Sequence, residues 1–289
     1  MELLVLVLIV GAAVMHASWN GMAKVSKNTV ALMWWATIFG TVGYGVWLAT
    51  GVGFFLSPSS RIPFLISAIC ETGYFVTLVK GYSQGDLSLV YPISRGSAPI
   101  FAAFLGAVAL AESLPLVGYA GILLMVAGVF VASQPVEQSK IKFGFYSILH
   151  DRAVGWALAS GVFIAIYSVS DKVAVAATNP LVYNWWVFAG NTVLWAPFVW
   201  RRYHFKTNFD ELRNNWSGVI IVGVLSVGAY ALALAALALT SASYVVAGRG
   251  LSVIIGAAIG SIMLKERFGT ARIIGATLMV AGLALIAFS

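Results

Sequence analysis

Charge is the scarcest ingredient of this 289-residue chain: Asp, Glu, Lys and Arg together make up 9% of it. A soluble domain carries about 25% charged residues, so a soluble chain this poor in charge could not cover its surface with polar groups. Hydrocarbon as the solvent removes that difficulty. Cysteine is nearly absent as well. Cys70 is the only one, which excludes an intrachain disulfide and a cysteine-rich metal site. No second histidine lies near His16 in sequence, so a metal ligand is not expected there, and no cofactor is expected at all. There is no His-Glu-x-x-His zinc signature and no paired-Asp cluster, so the chain is not read as an enzyme and no catalytic residue is expected.

What is present is apolar sequence, 61% of the chain, with ten Trp among its aromatics. A spanning helix needs about 20 mostly apolar residues. Runs between polar or Gly/Pro breaks give ten spans, at 3–24, 29–50, 62–83, 87–110, 115–133, 153–173, 180–200, 217–239, 242–264 and 270–288. The first run has Glu2, not a basic stretch, before it and is read as a helix, not a cleaved signal. Most connections are very short, so neighbouring helices are antiparallel. The exceptions are Gln134–Arg152 and Arg201–Asn215, neither long enough for a soluble domain. The expected fold is all-α, a ten-helix polytopic membrane protein.

The chain also repeats itself. Leu-Met-Val-Ala-Gly occurs at Leu124–Gly128 and again at Leu278–Gly282. At the same offset of 154, Gly106, Glu112 and Gly121 match Gly260, Glu266 and Gly275. Ser94-Arg95-Gly96 likewise matches Gly248-Arg249-Gly250. Near the start of each half Trp34-Trp35 matches Trp185-Trp186 at an offset of 151, which pairs His16 with Tyr167 and Asn20 with Asp171. Ordered matches of this kind indicate a duplication. The expected domains are a five-helix repeat over 1–133, a connection over 134–152 and a second repeat over 153–289. Five helices per half invert the second half in the membrane, an architecture of secondary transporters with a central cavity.

The net charge of +7 does not signal nucleic acid. The basic residues sit in short loops without a dense cluster or a nucleic-acid motif. They crowd the odd-numbered connections, with Lys24, Lys27, Lys140, Lys142, Arg201, Arg213, Lys265, Arg267 and Arg272, against little beyond Arg61 in the even ones. The positive-inside rule then puts both termini outside the cytoplasm.

Charges inside spans usually face a cavity or a partner. The candidates are Glu71, Lys80, Arg95, Asp171, Lys172 and Arg249. Arg95 and Arg249 each lie about 12 Å into a helix at 1.5 Å per residue, and each is followed by Gly. Pro and Gly at matching places suggest irregular helices beside a binding site. Two readings stand for these arginines: a bidentate grip on a solute carboxylate, or pins that hold helices together through carbonyls or an acid such as Glu71. Glu71 could bind an amino group or carry a coupling proton, or partner Arg95 or Lys80. Tyr74, Leu78 and Tyr82 follow Glu71 on its face, and Ser88, Tyr91 and Arg95 share another. His16, Trp19 and Asn20 on the first helix are mirrored by Tyr167, Ser170 and Asp171 on the sixth, two polar-aromatic faces that could line one cavity. Trp19 could instead anchor at the interface, and Asp171–Lys172 could be a solvated helix end. Glu112 and Glu266 read as turn residues that cap the next helix or pair with a nearby Arg. Gly121/Gly128 and Gly275/Gly282 place small residues on one face of helices five and ten, where they permit close packing between the halves.

The duplicated five-helix halves, the phrase Tyr91-Pro92-Ile93-Ser94-Arg95-Gly96 and the Leu-x-Glu helix end before a Gly-rich fifth helix resemble the drug/metabolite transporter superfamily. Within it they are most similar to the ten-helix EamA-type exporters, which include aromatic amino acid exporters. The resemblance implies a basket of helices around a central cavity, alternating access, and export of amino acids or related metabolites across a bacterial inner membrane. The expected solute-binding set is Trp19, Glu71, Lys80, Tyr82, Tyr91, Arg95, Tyr167 and Arg249, with a small amino-acid-like solute and the lipid bilayer as partners. One chain could hold a complete cavity and work as a monomer. The rival readings are an exporter of cationic or aromatic drugs, an intramembrane enzyme, and a non-transporting receptor.

Overall fold

The computed structural model describes residues 2–26, 28–84, 87–132, 152–202, 205–255, 258 and 270–289. The connection over 134–151 and the turn that holds Lys265, Glu266 and Arg267 lie outside the described residues, as does Gly260.

The described residues form helices α1 (Leu3–Val25), α2 (Thr29–Ala49), α3 (Arg61–Tyr82), α4 (Leu87–Leu110), α5 (Leu116–Ala132), α6 (Arg152–Val175), α7 (Pro180–Arg202), α8 (Phe205–Asn214), α9 (Trp216–Leu239), α10 (Ala242–Arg249) and α11 (Thr270–Ala287). Their starts follow local chemistry. The Asn28 side chain accepts from Ala31 N at 3.1 Å and caps α2. Pro180 opens α7, where its missing N–H costs nothing, and Asn179 Oδ1 accepts from Leu181 N at 2.9 Å. Among the described residues six helices are long and apolar enough to cross a membrane, and Leu116–Val131, Ala242–Ile255 and Ile273–Ala287 are shorter apolar helices. Helix α7 has the length but is less apolar, because Asn184 and Asn191 face inward.

The outer surface is apolar, and polar side chains are buried within the largely apolar interior. Phe104, Val108, Val193 and Val224 stand exposed, while Ser67, Ser160, Asn184 and Asp171 are buried. An apolar exterior with polar groups kept inside is what a hydrocarbon solvent selects.

Helix α1 packs on α9, and α6 packs on α3. Helix α2 meets α7, α4 meets α10, and α5 meets α11. The α5–α11 crossing brings backbone against backbone. A Cβ on Gly121 would stand 2.8 Å from the carbonyl oxygen of Gly282, one on Gly282 would stand 2.7 Å from that of Gly121, and one on Gly128 would stand 2.8 Å from that of Gly275. The small-residue joint expected from sequence is therefore present, with bare backbone on bare backbone. The contacts run antiparallel, so both termini lie on one face, called the upper face here. There Tyr244 OH and Ser289 Oγ meet at 2.8 Å.

Two local features differ from the sequence reading. The segment Arg201–Asn215 is not simply a loop: it contains α8, whose Phe209 ring meets Trp35 edge-on at 6.0 Å. Its Glu211 accepts from Ser26 Oγ at 2.8 Å and Asn215 Nδ2 at 3.0 Å. This short amphipathic helix lies across the lower ends of α1 and α2. The expected irregularity after the paired arginines is present in one half only. Helix α4 runs unbroken through Arg95-Gly96 despite Pro92 and Pro99. Helix α10 stops at Arg249, Gly250 N bonds Ala247 O at 2.9 Å, and helix resumes over 251–255.

Candidate functional site

Charged and hydroxyl-bearing side chains from α1, α3, α4, α6, α7, α9 and α10 converge inside the bundle. Helix α6 supplies Asp171, 1% exposed. Its Oδ1 accepts from Ser67 Oγ on α3 at 2.6 Å and from Tyr183 OH on α7 at 2.8 Å, and its Oδ2 accepts from Tyr230 OH on α9. Asp171 is thus no solvated helix end. A carboxylate out of water needs several donors, and three helices supply them. Glu71, one turn beyond Ser67 on α3, accepts from Asn191 Nδ2 of α7. The Arg249 guanidinium stands over the Tyr230 ring, 5.7 Å from its centroid, close enough for its charge to act on both Glu71 and Asp171.

A second cluster surrounds Arg95. Its Nη2 lies 3.1 Å from His16 Nε2 and donates to Tyr74 OH at 3.3 Å, and its guanidinium stands 5.6 Å from the Tyr74 ring centroid. A guanidinium only donates, so Nε2 of His16 is the bare nitrogen and the ring is neutral in this arrangement. His16 meets the edge of Trp19 at 4.8 Å. Tyr167, 4% exposed, joins the clusters, since its ring lies 6.5 Å from that of Tyr74. Two guanidiniums and two carboxyls therefore share the buried interior, a formal balance of zero, with tyrosine hydroxyls between them.

Of the expected solute-binding residues, the structure brings together Glu71, Arg95, Tyr167, Arg249 and, through His16, Trp19. Lys80 lies apart: it is exposed at the lower end of α3, its Nζ 4.6 Å above the Trp156 ring. The side chains of Tyr82 and Tyr91, and that of Ser88, lie outside the described residues. Sequence reasoning missed Ser67, Tyr183, Asn191 and Tyr230. Their signal was available as polar side chains on otherwise apolar helices, but nothing in spacing says which ones meet. Trp185 and Trp186 donate to the carbonyls of Thr41 and Phe54, each at 3.0 Å, and their rings meet edge-on at 5.2 Å.

One word in the chain has Gly-x-Ser-x-Gly spacing, Gly81-Tyr82-Ser83-Gln84-Gly85. Ser83 follows the end of α3, not a strand, and its Oγ donates to Lys80 O at 2.8 Å. Among the described residues no three His, Cys, Asp or Glu side chains gather as a metal site requires. An open recess of about 520 Å³, lined by Leu194, Pro197, Phe198 and Arg201, lies on the outer side of α7, away from the charged clusters.

No curated protein matches the sequence. A solved structure, described only as the crystal structure of a protein, superposes with a TM-score of 0.75 at 15% identity and covers 98% of this chain and 96% of its own. That likeness concerns the fold. The sequence model of the EamA-like transporter family matches residues 3–134 and 151–288. An apolar-surfaced helical bundle with buried charge, matched by that model over nearly its whole length, is a membrane transporter of the drug/metabolite type: the chain belongs to the EamA-like transporter family.

Proposed function

We propose that the chain exports amino acids or closely related small zwitterions across the bacterial inner membrane by alternating access. The observation that carries this reading is the coexistence of two guanidiniums and two carboxyls in one buried region. A zwitterion brings one charge of each sign and no net charge, so it can exchange partners within the cluster without leaving a charge unpaired. Arg95, with His16 and Tyr74 beside it, meets the solute carboxylate. Glu71 meets the amine, and Asp171 with Arg249 balances the other side. Trp19, Tyr167 and the rings of Tyr74 and Tyr230 form aromatic walls, which suits an aromatic side chain. Two arginines beside the acids disfavour a cationic drug.

The helix pairing supports two five-helix halves, 1–133 and 153–289, related by an approximate two-fold axis in the membrane plane. The charge bias puts the upper face, and so both termini, outside the cytoplasm. A reporter active only in the cytoplasm and fused to the C-terminus should be silent, and activity there would reverse the orientation.

Proteoliposomes with purified protein and a panel of labelled amino acids test the substrate class. Competition by zwitterions, strongest for aromatic ones, is expected. Competition by lipophilic cations alone would give the site to drugs. Arg95→Met should reduce transport far more than melting temperature, whereas equal losses would make Arg95 a pin between helices.

A further inference from the structure

The upper face is fastened by polar contacts, and they converge on one turn. Lys172, near the upper end of α6, donates from Nζ to Leu237 O at 2.9 Å and to Thr240 O at 2.7 Å. Those are the last carbonyls of α9, the negative end of its dipole. Glu112, in the α4–α5 turn, accepts at Oε1 from Ala242 N at 3.2 Å, an N–H at the positive start of α10. The same two-residue turn, Thr240-Ser241, is therefore held from both sides by opposite charges, each matched to the helix end it touches. Gly106 makes room for the glutamate: a Cβ there would stand 2.5 Å from its carboxylate. Nearby, Ser60 Oγ donates to Ala174 O at 2.9 Å and Thr178 Oγ1 to Ser60 Oγ at 2.8 Å, which ties the start of α3 to the α6–α7 turn.

The two charges have different histories in the repeat. The Gly106–Glu112 pair recurs as Gly260–Glu266 at the offset of 154. Lys172 does not recur. At the offset of 151 that aligns the tryptophan pairs it stands opposite Gly21, which has no side chain to reach a neighbouring helix end. The position aligned with Lys172 therefore carries no lysine in the first half.

We infer that Lys172 and Glu112 form a one-sided latch on the α9–α10 turn, and that Lys172 makes the two faces unequal by holding the upper one shut. The inference rests on the alternating-access reading. Opening the upper face requires the α9–α10 turn to leave α6 and the α4–α5 turn, and the lysine must then give up two charge-assisted hydrogen bonds. Lys172 is a positioning residue: it sets the balance between open states and touches no solute.

The single cysteine is a native reporter. Cys70, buried beside Glu71, belongs to the apolar cluster that contains Tyr167, Tyr183 and Tyr230. A membrane-impermeant maleimide, applied separately to each face of oriented vesicles, reads its exposure without any solute. Lys172→Met is expected to speed labelling from the upper face roughly tenfold, the scale of losing charge-assisted bonds, and to slow it from the lower face. Lys172→Arg should restore the wild-type pattern. Ser168→Cys in a Cys70→Ser background repeats the measurement one turn below Asp171. Unchanged labelling of both probes in folded Lys172→Met, or an equal rise from both faces with a lowered melting temperature, would overturn the latch. Because labelling needs no transport, a latch that fails while zwitterion transport persists leaves the substrate reading intact, and the reverse outcome separates them equally well.

Discussion

Replacing Asp171 with alanine is expected to abolish transport and to lower the melting temperature of the purified protein by roughly 5–15 °C. The size follows from what the carboxylate does. Ser67, Tyr183 and Tyr230 all point their hydroxyls at it from α3, α7 and α9, and each would be left without its acceptor among apolar neighbours. Hydrogen bonds between membrane helices are worth about 0.6 kcal/mol on average and about 1.7 at most, so three amount to about 2–5 kcal/mol. At roughly 2–4 °C per kcal/mol for a chain of this order of length, the loss is easily measured by a fluorescence melt. Asp171→Asn separates charge from shape. The amide oxygen still accepts from Ser67 and Tyr183, so most stability should return. Transport should not, because the negative charge that faces Arg249 is gone. Recovery of both would mean that Asp171 serves only as a three-helix acceptor.

Gly282→Leu should leave no folded protein to measure. Its Cβ would sit 2.7 Å from the carbonyl oxygen of Gly121 and 2.8 Å from Met125 N. Both obstacles are backbone, which cannot swing aside as the end of a side chain can. Overpacking a core costs about 1–3 kcal/mol where side chains can adjust, and here α5 and α11 would have to separate along their length. Size-exclusion traces of a fluorescent fusion should show aggregate in place of the monodisperse peak. Gly155→Ala is the matched contrast. That position on α6 has nothing within 4 Å of an added Cβ, and alanine favours a helix interior by up to about 1 kcal/mol over glycine. The variant should melt at or slightly above the wild type. Similar behaviour in both variants would mean that the α5–α11 contact is looser than its geometry.

How far the sequence could be read depended on what kind of order was at stake. The run from Leu3, the cap at Asn28 and the start at Pro180 are local, and their helices begin within a residue or so of the expected positions. The glycine joint was legible because the repeat flagged the same small residues twice. The partners of Asp171 were not, since Ser67, Tyr183 and Tyr230 lie far apart in sequence and meet only through the packing of four helices. Lys172 misled for a related reason. Lysine near a helix end normally reaches water, and only the arrival of the α9 carbonyls makes it a fastening. Glu112, read as a turn residue that caps the next helix or pairs with a nearby Arg, instead accepts from Ala242 N at the start of α10. Helix α8 was passed over because its amphipathic ten residues fell inside a segment read as connection.

The crossing of α5 and α11 also bears on how this molecule can deform. Contacts made by side chains can be traded, because rotamers offer several ways to fill the same space. A seam of glycines offers none: each backbone fixes the other's height and rotation, and sliding by one residue would drive Met125 or Ile286 into the space kept free for Gly282 or Gly121. The seam works as a mechanical frame. In the proposed alternating access, rocking would fall to the helices whose contacts are hydroxyls, amides and charges, which can change partners without changing shape.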